Sequence, residues 1–325
     1  MKICLISFDF WHYDEHIVAR LKEKGVDAHH INIGAYTHKN FGARLKNTFS
    51  KVFLGKNLKY QNRQNFIIDS LKKIGKQDQI LVINPEAIEE RTHEVIRSYT
   101  ERNIAYLYDS MRRNPAEHIL HFFDAVFSFD YEDVKKYGFK KINNYNYLPY
   151  DPVENQNPEL DLFYITSYDK TRIKRLKKLC ENIKNSGIKF RAVIAGKKSW
   201  KKQLLQIFNK KYSRNLVFRR KNIPQKQLPE YYRKSKAILD LQRDAQTGLS
   251  FRVFESMALE KKYITDNQDI KKYDFYNPAN ILILNSDFSN VEKSFFDNPY
   301  EKLPAEIYYK YTLDHWVTIV FNLDK

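Results

Sequence analysis

The chain has 325 residues, 42% of them hydrophobic and 15% aromatic, long enough to bury the cores of two domains of ordinary size. Its nine glycines form no GxGxxG, GxxxxGK[ST] or GxSxG, so the usual fingerprints of dinucleotide, nucleoside triphosphate and serine-hydrolase chemistry are absent, and Cys4 and Cys180 are too few for a disulfide framework or a structural zinc site. The net charge of +17 favours an anionic partner: a membrane surface, a nucleic acid or a phosphorylated substrate.

In chain order, Lys2–Phe8 reads as a strand, Asp14–Lys24 as a helix with Ile17, Val18 and Leu21 inward, and Val26–Ile33 as a second strand. KICLISF is too short an apolar run for a signal-peptide core, and no apolar run approaches the roughly 20 residues of a membrane span, so a cytoplasmic protein is expected. From Ala28 to Ile68 there is no acid, while Arg44, Lys46, Lys51 and Lys56 alternate with Phe41, Leu45, Phe49 and Val52. That spacing describes a basic amphipathic helix. Two readings fit it: an element lying on the inner face of an anionic membrane, where a lipid-linked acceptor would be met, or a helix whose apolar stripe packs on the domain core.

Asn65–Ile74 then reads as helix, Ile80–Asn84 as strand, Pro85–Glu101 as helix, Ile104–Tyr108 and Ala125–Phe129 as strands, Tyr131–Tyr137 as a helix closed by Gly138, and Ile142–Leu148 as a strand. Strands alternating with helices predict a parallel sheet covered on both faces. Pro149–Pro158, with its prolines, asparagines and acids, reads as a linker. It divides a first domain, 1–150, from a second, 151–302, with a helical aromatic segment after it. The second alternation runs Leu162–Thr166 (strand), Lys170–Ser186 (basic helix), Phe190–Ala195 (strand), Trp200–Tyr212 (helix), Leu216–Arg219 (strand) and Pro224–Lys234 (helix). Ala237–Leu241 and Ile281–Leu284 are the later strands.

The most informative stretch is Leu239–Asn267, LDLQRDAQTGLSFRVFESMALEKKYITDN. A short strand leads to a small turn, Gln246, Thr247, Gly248, Leu249 and Ser250, and then to a helix over Phe251–Leu259. The unpaired N–H groups and positive end of such a helix favour a diphosphate in the turn. Arg252 adds a charge-assisted donor, and Glu255, on the same helix face, can accept from a ribose or sugar hydroxyl pair. An acid near a helix start also stabilises the dipole by roughly 0.3–1 kcal/mol with no ligand at all, so both readings stand.

A glycine turn, a helix bearing a glutamate, an alanine, a basic break and an apolar strand resemble the donor-binding element of GT-B glycosyltransferases. Within them the stretch is most similar to bacterial enzymes of lipopolysaccharide and capsule assembly, including the CgeB-like group. Where many members carry a first glutamate, eight positions before the second, this chain has Thr247. The resemblance implies an α/β fold of two Rossmann-like doubly wound domains facing each other across a cleft. It implies a nucleotide-sugar donor on the second domain, an acceptor side on the first, and a 303–325 segment that crosses back to the first domain. Donor ligands carried over are Ser167 and Arg172, in the TSYDKTR turn, and the Gln246–Leu249 turn with Arg252 and Glu255. Arg172 also fits a solvated basic face with Lys174, Arg175, Lys177 and Lys178.

A glycosyl transfer with inversion needs a base within reach of the acceptor hydroxyl. Asp14, on the loop after the first strand, is the first candidate, with His12 and His16 behind it; Asp14 also suits a helix N-cap. Asp109 and Ser110, after another apolar strand, resemble a recurrent Asp-Ser pair of these enzymes and fit either acceptor binding or a cap. No DxD triplet is present, so no metal is expected, and Arg172, Arg252 and the helix N-terminus would neutralise the leaving diphosphate. Two other functions stay open: a nucleotide-sugar 2-epimerase on the same fold, and a non-catalytic basic protein that binds membrane or nucleic acid, although no nucleic-acid motif occurs.

Overall fold

The structure is a computed structural model that describes residues 1–9, 12–35, 58–152, 158–196, 199, 215–243 and 247–323. The chain divides into two compact units, Met1–Asn143 with Leu313–Lys325, and Asn144–Thr312. The basic segment with Arg44, Lys46, Lys51 and Lys56, the helix expected at Trp200–Tyr212, and Gln246 lie outside the described residues.

The first unit is a six-stranded parallel sheet. Along the chain it runs β1 (Lys2–Ser7), α1 (Asp14–Glu23), β2 (Asp27–Asn32), α2 (Leu58–Ile74), β3 (Gln77–Ile83), α3 (Glu90–Ser98), β4 (Thr100–Leu107), β5 (Ala125–Ser128), α4 (Tyr131–Tyr137) and β6 (Lys140–Lys141). The strand order is β2-β1-β3-β4-β5-β6, so the chain winds one way from β1 and then the other, leaving a switch point between β1 and β3. Ile3, Leu5, Ile80, Val82 and Ile104 are fully buried, each worth roughly 1.5–3 kcal/mol against an exposed side chain. Asp130 caps α4, its carboxylate accepting from the Glu132 and Asp133 amides, and Gly138 ends that helix in the left-handed conformation at φ 69°. The C-terminal helix Leu313–Phe321 belongs to this unit. Lys24 pairs with Asp314 at 2.9 Å, the rings of Trp316 and Tyr106 meet edge-on at 5.1 Å, and Gln79 donates to the Phe321 carbonyl at 2.9 Å.

The second unit repeats the plan with β7 (Leu160–Ser167), α5 (Lys170–Asn182), β8 (Phe190–Ala195), β9 (Leu216–Arg219), α6 (Leu228–Arg233), β10 (Ser235–Asp240), α7 (Phe251–Ala258), β11 (Lys262–Thr265) and β12 (Ile281–Ile283). Its order, β12-β11-β10-β7-β8-β9, is parallel and puts the switch point between β7 and β10. Two doubly wound sheets of this kind are the expected fold class.

Three expectations need correction. Ile142–Leu148 is not a strand: the ladder with β5 stops at Lys141 and only an isolated bridge from Asn146 to Thr312 follows, and the Asn146 side chain satisfies local backbone groups itself. Asn146 accepts from the Leu148 amide and donates to its carbonyl, both at 3.0 Å, an alternative that competes with a ladder. Pro85–Glu101 is not one helix: a 3-10 turn at Pro85–Ala87 gives way to extended Ile88 and Glu89 before α3, and Thr100–Arg102 already pairs in β4. Finally, α2 begins seven residues before Asn65, at Leu58.

Candidate functional site

In doubly wound sheets ligands gather beyond the carboxyl ends of the strands at the switch point. In the second unit that is where β7 hands over to α5 and β10 to α7. Asp169 caps α5, its carboxylate accepting from the Arg172 amide at 2.9 Å. The Arg172 side chain is buried rather than part of a solvated face, and its guanidinium donates to Thr166 Oγ1 at 3.0 Å. Ser167, the last residue of β7, is half-buried beside this turn.

On β10 the organising residue is Asp240, which the sequence did not single out. One carboxylate oxygen accepts from Arg252 Nη1 at 2.9 Å; the other accepts from Ser250 Oγ at 2.6 Å and Tyr263 Oη at 2.8 Å. Ser250 also caps α7 through the Arg252 amide. The second guanidinium arm of Arg252 donates to the Ile165 carbonyl of β7 at 2.8 Å, and its carbon lies 5.5 Å from the Tyr164 ring centre. Arg252 therefore spans the switch point from β10 to β7. Burial pushes the Tyr164 phenol up, while Arg172 and Arg252 both pull it down, so this phenol lies within the field of both arginines.

The turn before α7 is held by side chains that donate to its backbone carbonyls. Asn144 donates to the Leu249 carbonyl at 2.9 Å, and Asn267 to the Thr247 carbonyl at 3.5 Å; Gly248 and Leu249 are buried. Glu255 is fully buried. Its Oε1 accepts from Tyr147 at 2.7 Å, and its Oε2 has no hydrogen-bond partner. Burial raises its pKa, opposed by the Tyr147 hydrogen bond, the Arg252 charge and the neighbouring Tyr232 hydroxyl. Tyr147, like Asp240 and Tyr263, had no sequence signal of its own; the Ser250 cap was readable as a serine directly before an apolar helix.

In the first unit, Asp14 is buried at the carboxyl end of the sheet. It is not the helix cap, for Tyr13 occupies that position and Asp14 is the first helical residue. Its Oδ1 instead accepts from Tyr108, just past β4, at 2.7 Å. Burial first, and then the Asp9 charge, push its pKa up to about 7, against the hydrogen bonds from Tyr108 and Ser7. Asp109 lies 3.5 Å from Arg113 and 3.4 Å from Asn114, and Ser110 is buried beside it. His12 is exposed and His16 half-buried. Asp9, His12 and Glu15 bring potential metal-ligand atoms within 4.8 Å of one another.

Residues 172–303 match the family described as Glycosyl transferase-like. No curated protein sequence matches the chain. The fold is shared with the lipopolysaccharide outer core galactosyltransferase WaaB in its apo form, at 13% identity and a TM-score of 0.54, over 99% of both chains. An alpha-glucosyltransferase in complex with UDP and a 13-mer DNA containing a central A:G mismatch aligns at 12% identity and 0.60, over 99% of this chain and 100% of that one. The UDP-GlcNAc 2-epimerase of Methanocaldococcus jannaschii, in complex with UDP-GlcNAc and UDP, aligns at 13% and 0.50, over 99% and 100%. Over residues 172–303 the chain thus resembles a glycosyl transferase-like family, and its two doubly wound sheets share the fold of these solved structures.

Proposed function

We propose that the chain is a glycosyltransferase of GT-B fold that takes its sugar from a nucleotide-sugar and passes it to a growing bacterial surface glycan or a lipid-linked acceptor of lipopolysaccharide or capsule assembly. The observation that carries this reading is the pair of arginines, Arg172 and Arg252, fixed at the carboxyl ends of β7 and β10 beside the Gly248 turn and the start of α7. In the reaction the bond between the sugar's anomeric carbon and the diphosphate oxygen breaks. A bond from the acceptor oxygen to that carbon forms, and the acceptor proton passes to a base. The arginines and the α7 amides stabilise the charge that develops on the diphosphate, which needs no metal at this position. Ser167, Thr247, Gly248 and Glu255 are assigned to the donor by their position at the end of β7 and around the start of α7.

Asp14 is the group we assign to accepting the acceptor proton: it is a carboxyl at the carboxyl end of the first sheet, held by Tyr108 at 2.7 Å, whose pKa is pushed up to about 7. Asp109 is assigned to acceptor binding. The lysines at 46, 51 and 56 supply an electrostatic hold on an anionic inner-membrane surface. Among the described residues no helix is long and apolar enough to cross a membrane. Replacing those three lysines by glutamine is expected to weaken binding to anionic vesicles more at low salt than at high.

The test is a thermal-shift and calorimetric panel of UDP-, GDP-, dTDP- and CMP-sugars without added metal, beginning with UDP-sugars because two of the similar structures hold UDP. Stabilisation by one nucleotide family, lost in Arg172→Gln, supports the donor site. Silence across the panel, with binding to vesicles or RNA instead, overturns it. Conversion of a bound UDP-sugar to its epimer without an acceptor would assign the second-unit site to epimerisation.

A further inference from the structure

The first unit carries, beside Asp14, a group of side chains to which the donor reading gives no role. Asp9 follows β1 at the switch point between β1 and β3, and it is buried. One of its carboxylate oxygens accepts from the Asp14 amide at 3.0 Å. The other is buried with no hydrogen-bond partner. A carboxylate oxygen withdrawn from water without a donor is costly, and such groups are normally paired or bound to a metal. Asp9 and His12 both sit at positive φ, 39° and 60°, a left-handed conformation that Asp and His enter more readily than most side-chain-bearing residues. The His12 ring and the Glu15 carboxylate, in the first turn of α1, lie close to the Asp9 carboxylate, with ligand atoms within 4.8 Å of one another.

We infer that Asp9, His12 and Glu15 form a site for one divalent cation of the borderline class, Zn²⁺ or Mn²⁺, on the first unit. One imidazole with two carboxylates is a donor set that suits these ions. Around tetrahedral Zn²⁺, bonds of about 2.0–2.2 Å leave ligand atoms a little over 3 Å apart, so the trio must close by an ångström or so. His12 and Glu15 have that freedom: their side chains are 63% and 57% exposed, and they meet at 3.6 Å. Asp9 is the fixed point, held by Asp14. Three protein ligands leave a coordination position open to a water or an anionic oxygen, as at catalytic rather than structural sites. The inference is independent of the donor reading, whose arginines and turn belong to the second unit.

The experiment is titration of the full chain with ZnCl₂, and separately MnCl₂, by calorimetry and by competition with a chromophoric chelator, with no nucleotide present. One equivalent of one of the two ions is expected to bind to the wild type. His12→Ala and Glu15→Gln should each weaken it at least tenfold while leaving the metal-free melting temperature unchanged, because both side chains are largely exposed. Asp9→Asn should abolish binding; any loss of fold there leaves the two exposed-residue variants as the deciding pair. No binding by the wild type at micromolar metal, or equal affinity in His12→Ala and Glu15→Gln, would show that His12 and Glu15 form only a charge pair and would overturn the site.

Discussion

Arg252 and Asp240 form a part-buried ion pair at 2.9 Å, their side chains 21% and 8% exposed, that joins the start of α7 to the end of β10. Three donors converge on one carboxylate there, and the second arm of the same guanidinium reaches β7. The residue that the donor reading needs most is therefore also a strut between the two central strands.

Arg252→Ala should accordingly do more than weaken nucleotide binding. Removing one partner of a buried pair leaves the other charge uncompensated, a loss of about 3 kcal/mol, discounted somewhat for the exposed part of Arg252. Urea unfolding should move the midpoint down, and Arg252→Lys, which keeps the charge but loses the fork, should recover part of it. A change below about 1 kcal/mol for the alanine variant would mean that the strut carries no load.

Glu255 gives a pH test. Its pKa is raised in the folded chain, so the folded state holds the proton in a range where the unfolded state has released it. That stabilising contribution is complete below the ordinary glutamate range and is lost as pH rises through the raised value. Glu255→Gln, uncharged at every pH, should gain stability relative to wild type as the pH climbs from 4 to 8. Parallel melting-temperature curves for the two proteins would count against a perturbed carboxyl.

His93 works in the opposite direction. Its ring is fully buried, packs against Phe122 at 5.6 Å, and one nitrogen meets the Pro85 carbonyl at 3.0 Å. Burial lowers its pKa from 6.5 to about 4. Below 6.5 the unfolded chain takes up a proton that the folded chain refuses, so stability present at neutral pH is lost on acidification across that window, on the order of 3 kcal/mol in all. His93→Phe should flatten the pH dependence of unfolding between 4 and 6.5; an unchanged slope would place the acid sensitivity elsewhere.

Asp14→Asn should lower kcat by roughly 10²–10⁴-fold, the range expected for loss of a general base, while nucleotide affinity measured by calorimetry stays at the wild-type value. Tyr108→Phe, which removes the hydrogen bond to Asp14, should lower activity less and raise the pH at which it falls off on the acid side. Wild-type turnover in Asp14→Asn would take the base away from this residue.

The alternation of strands and helices, the helix end at Gly138 and the turn before Phe251 were legible along the chain, because each depends on neighbours three or four positions apart or on one residue's backbone preference. Ile142–Leu148 departs from its expected strand for a related reason: its apolar residues fit a strand, but the Asn146 side chain satisfies the Leu148 amide and carbonyl that a strand would pair. Glu255 was found from its place in a motif, yet its burial and its Tyr147 partner were not.

What the chain's local chemistry could not contain is the meeting of residues far apart along it. Tyr108 reaches Asp14 because β4 and β1 both flank β3 in one parallel sheet, and Arg252 reaches Ile165 because β10 crosses over to lie beside β7. Asp240 gathers Tyr263 only through the β10–β11 pairing. Periodicity says which face of an element turns inward, but strand order and register decide which buried polar groups share that interior, and burial in turn moves the pKa values of Asp14 and Glu255.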